Sequence, residues 1–259
     1  LRAFLRKLEI ERNTILIFMT DNGSTFGPMY YNAGMRGGKI TLWEGGHRVP
    51  FFLHWPDGNL GEPRDIDGLT QVQDLLPTLI DFCGLDQPGS APLDGISLAE
   101  TLRGQENPPD DRMLFINYSR MPRLDYPTPD SPSSMRREGA AVLWKRWRLL
   151  ERTELYNLDE DPTQTTNVID QHPEIAEQMR VALDSWWQEV EPLANEIQYI
   201  TVGSDEENPM MLTGCEWMDV FVDQQRQIRR AERRNSYWHH DIERAGAYRF
   251  ELRRWPTES

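Results

Sequence analysis

Residues 13–56 read NTILIFMTDNGSTFGPMYYNAGMRGGKITLWEGGHRVPFFLHWP, and their reading decides the fold class. The run Thr14-Ile15-Leu16-Ile17-Phe18-Met19 is apolar, rich in β-branched and aromatic residues, and too short for an ordinary helix. It predicts a strand buried on both faces, as in a parallel sheet. The run ends at Thr20-Asp21-Asn22-Gly23, so a carboxylate and an amide emerge together where the strand stops. In open α/β sheets the crevice at the carboxyl ends of the strands is where ligands bind.

Asp21 and Asn22 suit a hard divalent cation: one offers charged oxygens, the other a neutral carbonyl oxygen. Gly23 lets the backbone turn tightly beside them. Met35-Arg36-Gly37-Gly38-Lys39 then sets a lysine after two glycines, where main chain can approach a ligand closely and an ammonium acts as a compact point charge. Trp43-Glu44-Gly45-Gly46-His47-Arg48-Val49-Pro50 leads into a second predicted strand, Phe51-Phe52-Leu53-His54-Trp55. A cation site next to a cationic side chain is equipment for stabilising charge on a transferring sulfuryl or phosphoryl group. Each piece also has a bland reading. Asp-Asn-Gly is an ordinary turn sequence, Glu44 with Arg48 makes a structural ion pair under a loop, and His47 and His54 suit packing roles.

In order, TDNG, RGGK, EGGHRVP and HWP resemble the C-terminal part of a sulfatase, in the alkaline-phosphatase-like superfamily. The resemblance continues through Asp74-Leu75-Leu76-Pro77-Thr78-Leu79, Leu93-Asp94-Gly95-Ile96-Ser97, Trp144-Lys145 with Trp147-Arg148-Leu149, Glu154-Leu155-Tyr156-Asn157-Leu158, and Asp161-Pro162 before Asn167. It implies Asp21 and Asn22 as ligands of an active-site calcium (magnesium in some relatives), and Lys39 as the catalytic contact to the sulfate ester. It also implies a formylglycine nucleophile made from a C/S-x-P-x-R motif, and a further aspartate pair for the metal. Neither cysteine, Cys83 or Cys215, stands in that motif, and Pro132-Ser133-Ser134 lacks the rest of it. The expectation is therefore a fragment, with the nucleophile half encoded upstream of the helix tail Leu1–Leu8.

Composition sets bounds. The 259 residues suffice for one large domain or a domain with an appendage, and 38% hydrophobic residues is low for a compact chain. A formal net charge of −14 excludes the nucleic-acid binders, whose phosphate contacts need clustered basic residues. Two distant cysteines build no disulfide framework. No apolar run approaches membrane-spanning length. Oligomeric state and compartment are not legible; family habit favours a periplasmic or secreted enzyme.

The expected architecture is α/β: the C-terminal part of an alkaline-phosphatase-like sandwich, then a small antiparallel sheet with a helix, then a short β-rich extension. Residues 1–108 would be the rear of the catalytic domain, 109–198 the C-terminal subdomain, and 199–259 the extension. Within the first, Asp74 is expected to cap a helix. Leu75, Leu76, Leu79, Ile80 and Phe82 would face the sheet, Cys83 would be a small core residue, and Gly84 would end the helix. Leu98–Leu102 begins another helix, closed by Gly104. Met113–Tyr118 reads as a strand, 120–137 as loop, and 138–144 and 146–150 as strands paired around Lys145. His172-Pro173-Glu174 starts a helix whose face Ile175, Met179, Ala182, Leu183, Trp186 and Val190 is core, with His172 structural. Alternation at 216–223, 237–242 and 246–256 predicts hairpins, Tyr248, Phe250 and Leu252 sharing one face. Arg226, Arg229, Arg230, Arg233 and Arg234 form a basic cluster read as solvated surface. His239 and His240, adjacent in a strand, point to opposite faces and make a shared metal site improbable.

The expected function is that of a sulfuric ester hydrolase whose full form cleaves sulfate esters, sulfated carbohydrates among them, while this chain alone lacks the nucleophile. Two alternatives stand beside it. One is a phosphonate or phosphodiester hydrolase of the same superfamily; the other is a non-catalytic remnant with a carbohydrate-binding module offering Trp238 or Trp255.

Overall fold

The structure is a computed structural model. It describes residues 1–87, 89–118, 135–194, 196–213, 216, 225–231, 233 and 237–253. They fall into two compact units, one within Leu1–Pro122 and Arg136–Trp186, the other within Arg123–Met135 and Trp187–Ser259.

The first unit opens with α1 (Arg2–Lys7), which buries no residue, followed by β1 (Leu16–Met19). Two single-turn helices, α2 (Gly27–Tyr30) and α3 (Glu44–His47), precede β2 (Phe51–His54). The strand expected at 14–19 is present, but its partner differs from expectation. β1 pairs antiparallel with β2 in register Phe18↔Phe52, and the ribbon has only these strands among the described residues. Its side chains are not buried on both faces: Phe18 and Phe52 are 60% and 65% exposed, their rings 6.1 Å apart. An apolar run signals the surface it needs covered, not which strand lies beside it.

The helix α4 (Leu75–Cys83) ends on Gly84 at φ 60, ψ 40, and α5 (Ala99–Arg103) on Gly104 in the same left-handed region, as both glycines suggest. The buried stripe of α4 is Asp74, Thr78 and Phe82, at four-residue spacing. Leu76 is exposed, and Cys83, one step round the helix from Phe82, is exposed too, so it is not a core residue. Asp74 sits at the N-cap position without capping α4. Its carboxylate instead accepts a two-pronged bond from Arg112 at 2.9 and 3.0 Å, plus the N–H groups of Gln71 and Ile96.

A four-stranded antiparallel sheet follows, ordered β3 (Met113–Asn117), β4 (Ala140–Trp144), β5 (Trp147–Leu150) and β6 (Glu154–Asn157). β4 and β5 pair around Lys145, which takes a left-handed φ of 51. Both faces of this sheet are covered, which is why β4 and β5 read as continuous apolar runs. One face packs Val142, Trp147, Leu149 and Leu155 on Ala176, Met179 and Leu183 of α6 (Pro173–Ala194). The other packs Leu114, Ala141, Leu143, Leu150 and Tyr156 against Leu42, Trp43, Leu69 and Ile116. Full burial of each large aliphatic side chain contributes about 1.5–3 kcal/mol, so this sheet is the rigid body on which the loop before α3 rests. His172 packs its ring 4.8 Å from that of Trp147, the structural role expected of it.

The second unit contains β7 (Ile200–Val202), α7 (Gln225–Arg230) and β8 (His240–Ile242). β7 and β8 pair in parallel, so they are not a hairpin. No strand forms in 246–253: Phe250 and Leu252 are 74% and 93% exposed. Alternation there meets no pairing strand among the described residues, and alternation without a partner does not make a sheet. Trp238 is half-buried. The predicted strand at 216–223 except Glu216, most of the 120–137 loop, Cys215, Arg234 and Trp255 lie outside the described residues.

Candidate functional site

Three glycine-bearing turns converge at the carboxyl end of β1. The Gly23 N–H donates to the Gly46 carbonyl at 2.9 Å, the Lys39 N–H to the Ser24 carbonyl at 3.2 Å, and the Gly45 N–H to the Arg36 carbonyl at 2.9 Å. These bonds tie the TDNG turn to both other segments. They require glycine at two places where main chain meets main chain. A Cβ on Gly23 would stand 1.8 Å from the Gly45 oxygen, and one on Gly46 would stand 2.0 Å from the Thr41 oxygen. Asn32 seals the knot, its Nδ2 donating to the carbonyls of Met35 and Gly37.

On this platform stand the three predicted site residues. Asp21 is exposed, with one carboxylate oxygen accepting the Asn22 N–H at 2.9 Å. The Asn22 side chain is half-buried and has no hydrogen-bond partner among the described residues. Lys39 is exposed, and no carboxylate among the described residues lies within ion-pair range of its ammonium. Its ammonium is open to an anion.

The buried support was only partly foreseen. Glu44, 2% exposed, does have Arg48 nearby, at 3.7 Å, but its close partner is Arg148 of β5, whose Nε donates at 2.7 Å. Arg148 itself donates to the carbonyls of Lys145 and Trp147. The His47 side chain is buried as expected, its Nε2 3.1 Å from the Leu42 carbonyl. Burial dominates there and lowers its pKa below the ordinary 6.5 despite the pull of Glu44. His54, by contrast, is exposed, so packing does not account for it. Gln164 and Tyr118 were missed. Tyr118, at the end of β3, aims its hydroxyl at the Gly46 carbonyl from 3.4 Å, and burial followed by the charge of Asp21 raises its pKa. No spacing rule could have found it, because the contact spans 72 residues.

For a divalent cation, the donor set is chemically apt: a carboxylate oxygen and an amide oxygen, neither claimed by a basic side chain. Calcium takes about six to eight oxygens, so this pair forms one side of a shell. No group of three or more His, Cys, Asp or Glu suited to a metal occurs among the described residues.

The fold and the sequence both have counterparts among known proteins. Residues 1–85 match the family model described as Sulfatase. A sulfatase of Formosa agariphila is 30% identical over 195 residues, covering 68% of this chain and 33% of that protein. The N-acetylgalactosamine-6-O-sulfatase of Bacteroides thetaiotaomicron is 27% identical over 201 residues, covering 70% of this chain and 38% of its own length. Among solved structures, a putative sulfatase from Bacteroides thetaiotaomicron superposes with TM-score 0.57 at 27% identity, over 73% of this chain and 39% of that one. The chain belongs to the sulfatase family, in the alkaline-phosphatase-like superfamily, and its fold matches the C-terminal part of those enzymes. It spans between 33% and 39% of the length of these three relatives.

Proposed function

We propose that these residues form one side of the active site of a sulfuric ester hydrolase, with Asp21 and Asn22 holding calcium (magnesium in its place in some relatives) and Lys39 contacting the ester. The observation that carries this reading is Lys39 itself: its ammonium has no ion-pair partner among the described residues, and its main-chain N–H donates to the carbonyl of Ser24, the residue after the TDNG turn. The reaction is hydrolysis: the S–O ester bond of R–O–SO3⁻ breaks, water supplies the oxygen gained by sulfur, and alcohol plus hydrogen sulfate leave. Bound calcium would supply positive charge against the sulfate oxygens. Lys39 would stabilise negative charge on an ester oxygen as the bond breaks, an interaction strongest in the transition state. Asp21 accepts the Asn22 N–H at 2.9 Å, which anchors its carboxylate to the turn.

The shell is completed, in this reading, by further residues of the same sulfatase domain, which would also bring the formylglycine nucleophile and cover the open Phe18–Phe52 ribbon. The share of each relative that this chain spans supports that, as does the apolar exposure of the ribbon. The Bacteroides relative is named an N-acetylgalactosamine-6-O-sulfatase, which makes a sulfated sugar one substrate class to test, beside the steryl sulfates that the name of the mouse steryl-sulfatase relative points to. A periplasmic or secreted location suits a sulfated sugar.

The test is to express the complete reading frame that contains these residues. Sulfate release from an aryl sulfate, a steryl sulfate and sulfated amino sugars is then measured beside phosphonate and phosphodiester hydrolysis, with calcium and with chelator. Calcium-dependent sulfate release is expected. Preference for phosphorus esters would move the reading to the superfamily's other hydrolases, and no turnover of any ester would leave a remnant.

A further inference from the structure

Residues 36 and 44, the two ends of the loop that carries Lys39, clip onto the same distant residue. Arg36 donates from Nη1 to the main-chain carbonyl of Gln164 at 2.5 Å, while the Glu44 N–H donates to the Gln164 side-chain oxygen at 2.8 Å. Gln164 is fully buried and adopts a left-handed φ of 52, a conformation unfavourable for a residue with a Cβ. Strain of that kind persists only where the surroundings over-determine it. Here they do. The Gln164 N–H donates to the Asp161 carbonyl, and the Asp161 carboxylate in turn accepts the N–H groups of Thr165 and Thr166 at 2.6 and 2.7 Å. The same loop end is held from β5 by the Arg148–Glu44 ion pair, and the Arg36 guanidinium lies 4.0 Å from the Trp43 ring centroid.

The geometry points to Gln164, with Glu44 and Arg148, as positioning residues that set where Lys39 and the Asp21–Asn22 turn stand; this rests on the function proposed above. The path is continuous. Gln164 and Arg148 fix Glu44, Glu44 fixes the adjoining glycines, Gly45 N–H bonds to Arg36, and Gly46 carbonyl receives Gly23 N–H one residue beyond Asn22. The β5 strand and the loop after β6 therefore govern a site to which they contribute none of the three proposed contact residues. Loss of the Gln164 acceptor leaves the Glu44 N–H buried and unsatisfied, a state relieved only by movement of the loop.

The test compares Gln164→Met, which keeps bulk and removes the acceptor, with Arg152→Met as a control. Arg152 donates to Asp184 of α6 at 2.5 and 3.3 Å and touches nothing in the loop. Amide hydrogen exchange is followed at Gly23, Lys39 and Gly45, together with thermal stability. Where the complete reading frame turns over an aryl sulfate, kcat and KM are measured as well. Gln164→Met is expected to speed exchange at all three amides by about tenfold or more and to lower kcat by about tenfold or more. The control, at equal or greater loss of thermal stability, should leave both within about twofold. Exchange unchanged at those amides in Gln164→Met, or equal acceleration in both variants, would overturn the positioning role. Unchanged kcat would do the same. A wild-type protein without sulfatase turnover would sink the proposed function, and the exchange comparison would still decide whether Gln164 holds the loop.

Discussion

The main-chain N–H of Gly23 and the carbonyl oxygen of Gly46 meet at 2.9 Å, joining the turn that bears Asp21 to a helical turn more than twenty residues on. No side chain takes part. The contact is possible because the backbones of Gly23 and Gly45 are almost in touch. Gly23→Ala would force them apart and is expected to cost about 1–3 kcal/mol or more, and to weaken the proposed calcium site beyond what the stability change explains. Thermal unfolding with and without calcium checks both.

Lys39→Ala removes an exposed side chain that bonds to nothing among the described residues, so stability should stay within about 0.5 kcal/mol. Turnover of the complete protein should fall by about 10²–10³-fold, the usual loss for a group that meets charge developing in the transition state. Steady-state kinetics with an aryl sulfate measures it; unchanged kcat would remove Lys39 from the mechanism.

Asp21→Ala takes away the charged oxygen of the proposed cation shell and should weaken calcium binding by more than about tenfold. Calorimetric titration of the complete protein reads this directly. Affinity equal to wild type would show that the ion, if bound, lies elsewhere.

Burial of His47 gives stability a pH dependence whose sign follows from the direction of its shift. Burial lowers its folded-state pKa below the ordinary 6.5, so near and below that value the unfolded chain binds more protons than the folded one. Stability thus rises with pH through this window and is lost as pH falls from 6.5 toward the folded-state value. Denaturant midpoints from about pH 7.5 down to about pH 5 should fall less steeply in His47→Gln than in wild type.

Arg112→Met should destabilise the first unit by about 3–5 kcal/mol, because it strands the nearly inaccessible Asp74 carboxylate without its charge partner. Pairing it with Asp74→Asn should recover part of that loss. Chemical unfolding of the two variants gives the comparison.

Much of this arrangement was legible in the chain because the signals are local. Asp-Asn-Gly after an apolar run marks a strand end, Gly84 and Gly104 mark helix ends, and Pro173 marks a helix start; each depends on the conformational preference of one residue. What escaped depends on partners far along the chain. Arg148 lies 104 positions from Glu44 and Gln164 lies 120, and nothing in their neighbourhoods announces those bonds. Cys83 was misplaced because one step along a helix turns a side chain by about 100°, enough to take it from core to solvent. Tyr248, Phe250 and Leu252 alternate as a strand would, yet pairing is a property of two segments and alternation describes one.

The open β1–β2 ribbon has a consequence for the behaviour of the chain in concentrated solution. Phe18 and Phe52 present an apolar face, while a net charge of −14 repels one copy from another. At low ionic strength repulsion reaches well beyond contact distance; at 1 M salt it is screened within about 3 Å, and apolar association is strengthened by excluded salts. Adding sulfate or phosphate salts should therefore drive this chain to self-associate, and Phe18→Lys with Phe52→Glu should keep it dispersed.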